Sequence, residues 1–156
     1  MEVRIRKAEP GDMPDVFRLI LQLARYENAE EKVILSESEL CRDSQLEFPP
    51  FHCVIACIES AVVGFCLSWY RYSTWRGRIL YVEDFFVKPE FRRKGIGKML
   101  LDEKLKMAKN QNISHIHLQV LDWNEPAIQF YRKYYNPEMD PEWINVLIPV
   151  SPETIG

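Results

Sequence analysis

No part of this 156-residue sequence comes near 18 consecutive apolar residues, which excludes a membrane-spanning helix. The opening, MEVRIRKAEPGD, lacks the apolar centre of a signal peptide and points to a cytoplasmic protein. Charge of one sign is scarce as well: 20 basic against 23 acidic side chains leave a net charge of -3. So small a balance disfavours a nucleic-acid-binding surface, and its sign suits a cationic partner. The four cysteines, Cys41, Cys53, Cys57 and Cys66, include no C-x-x-C pair, and three of them stand in apolar runs. They read as reduced, buried small hydrophobes. His115 and His117 share a strand face but have no third ligand beside them, so no metal site is expected. Internal repeats and low-complexity linkers are absent.

What is present is an ordinary globular composition, 47% hydrophobic and 28% charged, in a chain long enough to bury one core. It predicts a single domain over residues 1–156 with a loose tail from about 151 to 156. Val3 to Lys7 alternates as a short strand. Pro10-Gly11-Asp12 is a turn that offers Asp12 as an N-cap, and Met13, Val16, Phe17, Ile20, Leu23 and Ala24 then recur at helical spacing to about Asn28. Glu27 sits where that helix turns towards a sheet. Ser36-Glu37-Ser38-Glu39 opens a second helix with a capping sequence. His52–Ile58 and Val62–Tyr72 form a hairpin, and Arg78–Lys88 returns as the central strand. A third helix spans about 95–110, its buried side formed by Ile96, Leu100, Leu101, Leu105 and Ala108. Ser114–Leu121 is a strand, residues around Ala127–Tyr134 a short helix, and Trp143–Val150 a last strand. The order βααβββαβαβ gives a mixed α/β sheet flanked by helices.

The stretch from Leu80 to Leu101, LYVEDFFVKPEFRRKGIGKMLL, organises the chain. It runs from strand through basic glycine loop into helix. Gly95 and Gly97 let the backbone approach a ligand without a Cβ in the way. A helix N-terminus adds unpaired N–H groups and partial positive charge, and Arg92, Arg93, Lys94 and Lys98 add full charges. Together they make a site for phosphate or pyrophosphate. The loop is neither G-x-x-x-x-G-K-[ST] nor G-x-G-x-x-G, because one residue separates the glycines, Met99 follows Lys98 and position 100 is leucine.

The pattern it does match, R-x-x-G-x-G over Arg92–Gly97, resembles the acetyl-CoA pyrophosphate loop of the GNAT N-acetyltransferases. A second motif, Asn124-Glu125-Pro126-Ala127-Ile128-Gln129-Phe130-Tyr131, follows after 26 intervening residues and looks like the N-x-x-A-x-x-F-Y segment of that superfamily. More closely, ARYENAEEKVILSE, FHCVIA, YSTWRGRILYVEDFFV, RRKGIG and VLDWNEPAIQFYRK are similar to the branch of diamine (spermidine/spermine) and thialysine N-ε-acetyltransferases. Y-S-T-W-R-G-R and V-L-D-W-N resemble the thialysine enzymes, with Ser73 where polyamine enzymes tend to carry an acid. E-D-F-F-V resembles the polyamine side. After Tyr131 the chain departs from the branch: Lys133-Tyr134-Tyr135-Asn136-Pro137 stands where Gly-Ala is usual.

The resemblance implies the GNAT fold, a mostly antiparallel twisted sheet with acetyl-CoA as cosubstrate in a cleft between parted strands. It implies that Phe85, Phe86 and Val87 meet the pantetheine arm with their main chain. Arg92, Arg93, Lys94, Gly95, Ile96, Gly97 and Lys98 take the pyrophosphate, and Asn124, Glu125, Pro126 and Ala127 touch the cofactor. A backbone N–H near Phe86 serves the oxyanion. Tyr131 is the general acid to the leaving thiolate, a phenol that must be close and partly desolvated for that task. Glu83 handles the substrate amine as base or anchor, and Asp84 holds a distal charge. As neighbours on a strand the two are expected on opposite faces. Tyr26, Glu27 and Trp75 complete the substrate side, Trp75 by cation–π contact or otherwise as packing. The expected reaction is N-acetylation of a small cationic amine: thialysine, a lysine-like amino acid, a diamine or a polyamine. Alternatives are a protein-lysine acetyltransferase and an inactive CoA-binding paralogue. A homodimer is implied by the resemblance only.

Overall fold

The computed structural model describes residues 1–153. Its elements are β1 (Val3–Lys7), α1 (Met13–Tyr26), α2 (Glu37–Ser44), β2 (His52–Ile58), β3 (Ala61–Ser73), β4 (Gly77–Val87), α3 (Ile96–Asn110), β5 (Ile116–Leu118) and α4 (Glu125–Tyr135). The chain forms two compact units, Met1–Gln119 and Val120–Gly156.

The first unit holds a sheet in the order β1-β2-β3-β4-β5, antiparallel except for the parallel β4–β5 pair. β2 and the first part of β3 are buried on both sides because helices cover both faces there. On one face Met13, Val16 and Leu19 of α1 and Leu40 of α2 pack with Cys53, Ile55, Phe65, Leu67 and Phe86. The start of α1 is tied to β1 rather than capped by its own side chain. Asp12 takes two hydrogen bonds from the Arg6 guanidinium, at 2.7 and 2.8 Å, and one from the Glu9 N–H. This replaces the expected N-cap role of Asp12, and the paired guanidinium holds its carboxyl below the usual carboxylate range. Ser36 does cap α2 as expected: its Oγ accepts from the Glu39 N–H, and the Glu39 carboxylate accepts from the Ser36 N–H at 2.8 Å.

On the other face α3 lies against the sheet through Ile96, Leu100, Leu101, Lys104 and Ala108. The sequence pattern put Leu105 on this side, but Leu105 is exposed and Lys104 takes the buried position. The i+4 ridge from Leu100 lands on residue 104, and the four-carbon stem of a lysine fills that space. Its ammonium is satisfied, donating to the His52 carbonyl at 2.9 Å. Burial pulls the Lys104 pKa down.

The second unit contains α4. Asn124 caps it, its Oδ1 accepting from the Ala127 N–H at 3.4 Å, and Pro126 occupies the first turn. Asn136, at φ 45°, ends it in the left-handed conformation. Phe130 packs edge-on against Tyr131, Tyr134 and Tyr135, with ring centroids 5.3 to 5.8 Å apart. The expected strand over Trp143–Val150 does not form. The segment is irregular, and Trp143, Ile144, Val146, Leu147, Ile148 and Val150 stand 70–89% exposed. Of the expected tail, residues 154–156 lie outside the described residues. No described helix is long and apolar enough to cross a membrane.

Gly64, in β3, marks the tightest packing between sheet and α3. A Cβ there would stand 2.9 Å from the Phe86 carbonyl oxygen and 3.3 Å from Leu100 Cδ1. The carbonyl belongs to the neighbouring strand and cannot yield without moving the ladder. Gly64→Ala is therefore expected to destabilise the protein by about 1–3 kcal/mol, read from the midpoint of urea unfolding at unchanged m-value.

Candidate active site

The site is built around an irregularity in β4. The β3–β4 register runs Leu67↔Asp84 and then Ser68↔Val82, so Glu83 is an extra residue on β4. A bulge of this kind re-aims the side chains beside it. Asp84 stands opposite Leu67 and so shares its face. Trp69, two residues along β3, is on that face too, and its Nε1–H donates to Glu83 Oε2 at 2.9 Å. Glu83 and Asp84 thus point to the same side, which corrects the expectation from simple alternation.

Their proximity has an electrostatic consequence. Burial, the charge of Glu83 and then the charge of Glu27 push the Asp84 carboxyl up to about 6. Glu27, just past the end of α1, is itself raised by burial. The charges of Glu83 and Glu27 therefore both bear on Asp84 at this end of the sheet. Trp69 and Tyr81 continue the same face, with ring centroids 5.3 Å apart. Burial and the Glu83 charge raise the Tyr81 phenol, while Arg71 opposes them.

The bulge also coincides with the parting of two strands. β5 pairs with β4 only at Leu80, Tyr81 and Val82. β4 continues through Phe85, Phe86 and Val87 after β5 has ended at Leu118. β5 is shorter than the expected Ser114–Leu121 at both ends, and its pairing stops at Val82, where the bulge interrupts β4.

Beyond Val87 a tight turn over Pro89–Phe91 leads to the basic loop. Arg93, at φ 60°, and Gly95, at φ 80°, take left-handed conformations directly before α3. Residues of this kind turn successive N–H groups towards one concavity, which the helix N-terminus extends. A Cβ on Gly95 would meet nothing within 4 Å, so the space beside the loop is open. This donor set fits the diphosphate of acetyl-CoA. The basic side chains divide their tasks. Arg92 turns inward: its Nε donates to the Val87 carbonyl at 2.8 Å, and its guanidinium lies over the rings of Tyr26 and Phe86 at 5.0 and 5.1 Å. Lys98 pairs with Asp102 one turn on, and Lys94 rests over Phe91. Ile96 is buried in the core.

Of the sequence-selected residues, Tyr26, Glu27, Glu83, Asp84, Phe85, Phe86, Val87 and the loop 92–98 lie in the first unit, around the bulge and the turn that follows it. Trp75 is not brought to them. It sits at the β3–β4 tip, 84% exposed, about 20 Å along the strand from Glu83 at ordinary strand rise. Asn124, Glu125, Pro126, Ala127 and Tyr131 lie in the second unit, on α4 and its cap. Sequence reading missed Trp69, Tyr81 and Arg71. Their alternate spacing on two strands was visible, but not the register that joins them.

The profile described as the Acetyltransferase (GNAT) family matches residues 17–135. A thialysine N-epsilon-acetyltransferase of Bos taurus is 41% identical over 138 residues, covering 83% of this chain and 81% of that protein. The spermidine/spermine N(1)-acetyltransferase-like protein 1 of Homo sapiens is 34% identical over 135 residues, 82% of this chain but 19% of that one. Among solved structures, an aminoglycoside acetyltransferase from an uncultured soil metagenomic sample, in complex with sisomicin, superposes with a TM-score of 0.76 at 18% identity, covering 96% of this chain and 97% of its own. An aminoglycoside N-acetyltransferase in complex with CoA gives 0.74 at 16% identity, covering 97% and 95%. Such low identities bear on the fold alone, whereas the profile and the bovine relative bear on descent: the chain is an acetyltransferase and belongs to the GNAT family.

Proposed function

We propose that this acetyltransferase transfers the acetyl group of acetyl-CoA to a primary amine of a small cationic substrate, a thialysine- or lysine-like amino acid or a diamine or polyamine, and that residues 1–156 work as a single domain. One observation carries the reading: Glu83, Asp84 and Glu27 interact at the bulge, where β4 leaves β5. Carboxylates grouped beside such a cleft attract an ammonium ion. The names of the bovine and human relatives support an amine of this class.

Acetyl-CoA brings the acyl group as a thioester. The N-terminus of α3, with Arg93, Lys94, Gly95, Gly97 and Lys98, holds its diphosphate, and Arg92 braces the loop from behind. The main chain of Phe85, Phe86 and Val87, and Asn124–Ala127, align the pantetheine arm. The ammonium must lose a proton before it can attack, and Glu83 accepts it directly or through water, fixed in orientation by Trp69. Asp84 and Glu27 hold the remaining positive charge. A backbone N–H near Phe86 stabilises the carbonyl oxygen. As the N–C bond forms and the C–S bond breaks, Tyr131 Oη gives its proton to the sulfur. The buried thiols of Cys53, Cys57 and Cys66 support a cytoplasmic location. A homodimer belongs to the same reading, and light scattering that finds only an 18.5 kDa species would remove it.

A second reading, a CoA-binding paralogue without turnover, rests on the altered region after Tyr131, Lys133-Tyr134-Tyr135-Asn136-Pro137. Both are tested by following CoA release from acetyl-CoA with thialysine, lysine, putrescine, spermidine, spermine and a lysine peptide. Release with one of the small amines, lowered at least 100-fold by Tyr131→Phe without loss of acetyl-CoA binding, is the expected result. Release with the peptide alone indicates a protein-lysine acetyltransferase. A raised melting temperature with acetyl-CoA and no release with any amine indicates the binder.

The carboxyl cluster makes a stability prediction of its own. The native Asp84 titrates near 6, above its model-compound value of 3.8, so the native state binds more protons than the unfolded chain between these limits. Stability therefore falls as pH rises through that window. Asp84→Asn is expected to stabilise the protein by about 1–2 kcal/mol at pH 7.5, and the gain should vanish near pH 4. Urea unfolding at the two pH values measures it.

A further inference from the structure

The face that carries the acidic cluster ends in a cationic group that the proposed reaction does not use. Arg71 lies two residues beyond Trp69 on β3, on the same face, and opposite Ile79. Tyr81, opposite Trp69, is flanked on β5 by His117 in direct register. The Arg71 guanidinium stands 5.7 Å from the Tyr81 ring centre, and its Nη1 lies 3.2 Å from His117 Nδ1. Because arginine only donates, His117 Nδ1 is the acceptor and the imidazole is neutral. Partial desolvation and the Arg71 charge both push the His117 pKa down, in keeping with that state. His117 also meets Tyr81 edge-on, with ring centroids 5.2 Å apart. One edge of the guanidinium is thus fixed by an imidazole and one face by a phenol ring. Among the described residues, no carboxylate is in salt-bridge contact with Arg71.

The face therefore reads carboxylates, then the Trp69–Tyr81 rings, then an oriented cation. The step from Trp69, which holds Glu83, to Arg71 is about 7 Å along the strand. A lysine-like side chain separates its terminal ammonium from its α-carboxylate by a comparable length. A diamine of the same length carries an ammonium at that end without the carboxylate, so nothing offsets its repulsion by Arg71. We infer that Arg71, positioned by His117 and Tyr81, receives the α-carboxylate of the substrate and so selects an amino acid over a diamine or polyamine. The inference rests on the small-amine reading above and narrows it.

Lysine and cadaverine differ only by the carboxylate, and the ratio of their kcat/KM values isolates its contribution. The wild-type protein is expected to favour lysine. Arg71→Met should lower the ratio tenfold or more, the range of a charge-assisted hydrogen-bonded pair, and Arg71→Lys should restore part of it. A general loss of activity or stability cancels in the ratio, so a merely structural role would leave it unmoved. A ratio in Arg71→Met within twofold of wild type overturns the inference. So does a wild-type enzyme that acetylates cadaverine as well as lysine, although the small-amine reading then stands. Release of CoA with neither amine overturns the inference, and no release with thialysine, putrescine, spermidine or spermine either overturns both.

Discussion

One extra residue in a strand is the constraint on which the rest of this structure depends. Without the bulge at Glu83, alternation would place Glu83 and Asp84 on opposite faces, one of them against α3 and the apolar packing around Gly64. An unpaired carboxylate there would be costly. With the bulge, both reach the same side, beside Glu27, and none is stranded among aliphatic side chains. The same irregularity ends the pairing of β4 with β5 and separates two strands where a cosubstrate arm can lie. The geometry of the acidic cluster and that of the cleft have a single cause.

The two faces of the sheet carry complementary duties. The face under α3 is a packing surface, and its one buried charge is held by the His52 carbonyl. This contact ties α3 to β2, three strands from the edge at β5, so that the helix whose N-terminus closes the basic loop is pinned at mid-length. The opposite face is covered by α1 and α2 near Cys53, Phe65 and Leu67, and beyond Leu67 it gives way to the half-buried rings of Trp69 and Tyr81. Catalytic chemistry is assigned to the uncovered part, where polar groups retain access to water and ligand.

Much of this was legible in the sequence. The glycine loop declared itself because only a left-handed residue fits before α3, and Gly95 is that residue. The helices were visible through their period and through the Ser36 cap. Three features were not. The bulge is a property of two paired strands, and one strand's alternation does not reveal where its partner's register slips. Lys104 is absent from the buried side that the apolar pattern gives, because such a pattern reads the charge and not the stem, although the stem is what packs. Trp143–Val150 has the composition of a strand, but composition alone does not build a ladder, and the segment is irregular. Conversely, Trp75 was given a site by analogy with its motif, and the hairpin carries it away to the tip.

The cysteines bring a last consequence. Burial pushes the thiols of Cys53 and Cys66 up to about 12, which keeps both protonated at neutral pH. Thioesters exchange with thiolates, and these two positions offer almost none. An acyl donor can therefore be carried across a cysteine-containing scaffold without acylating it. The same thiols become reactive only when the strands separate, which makes alkylation at these positions a clock for opening of the sheet.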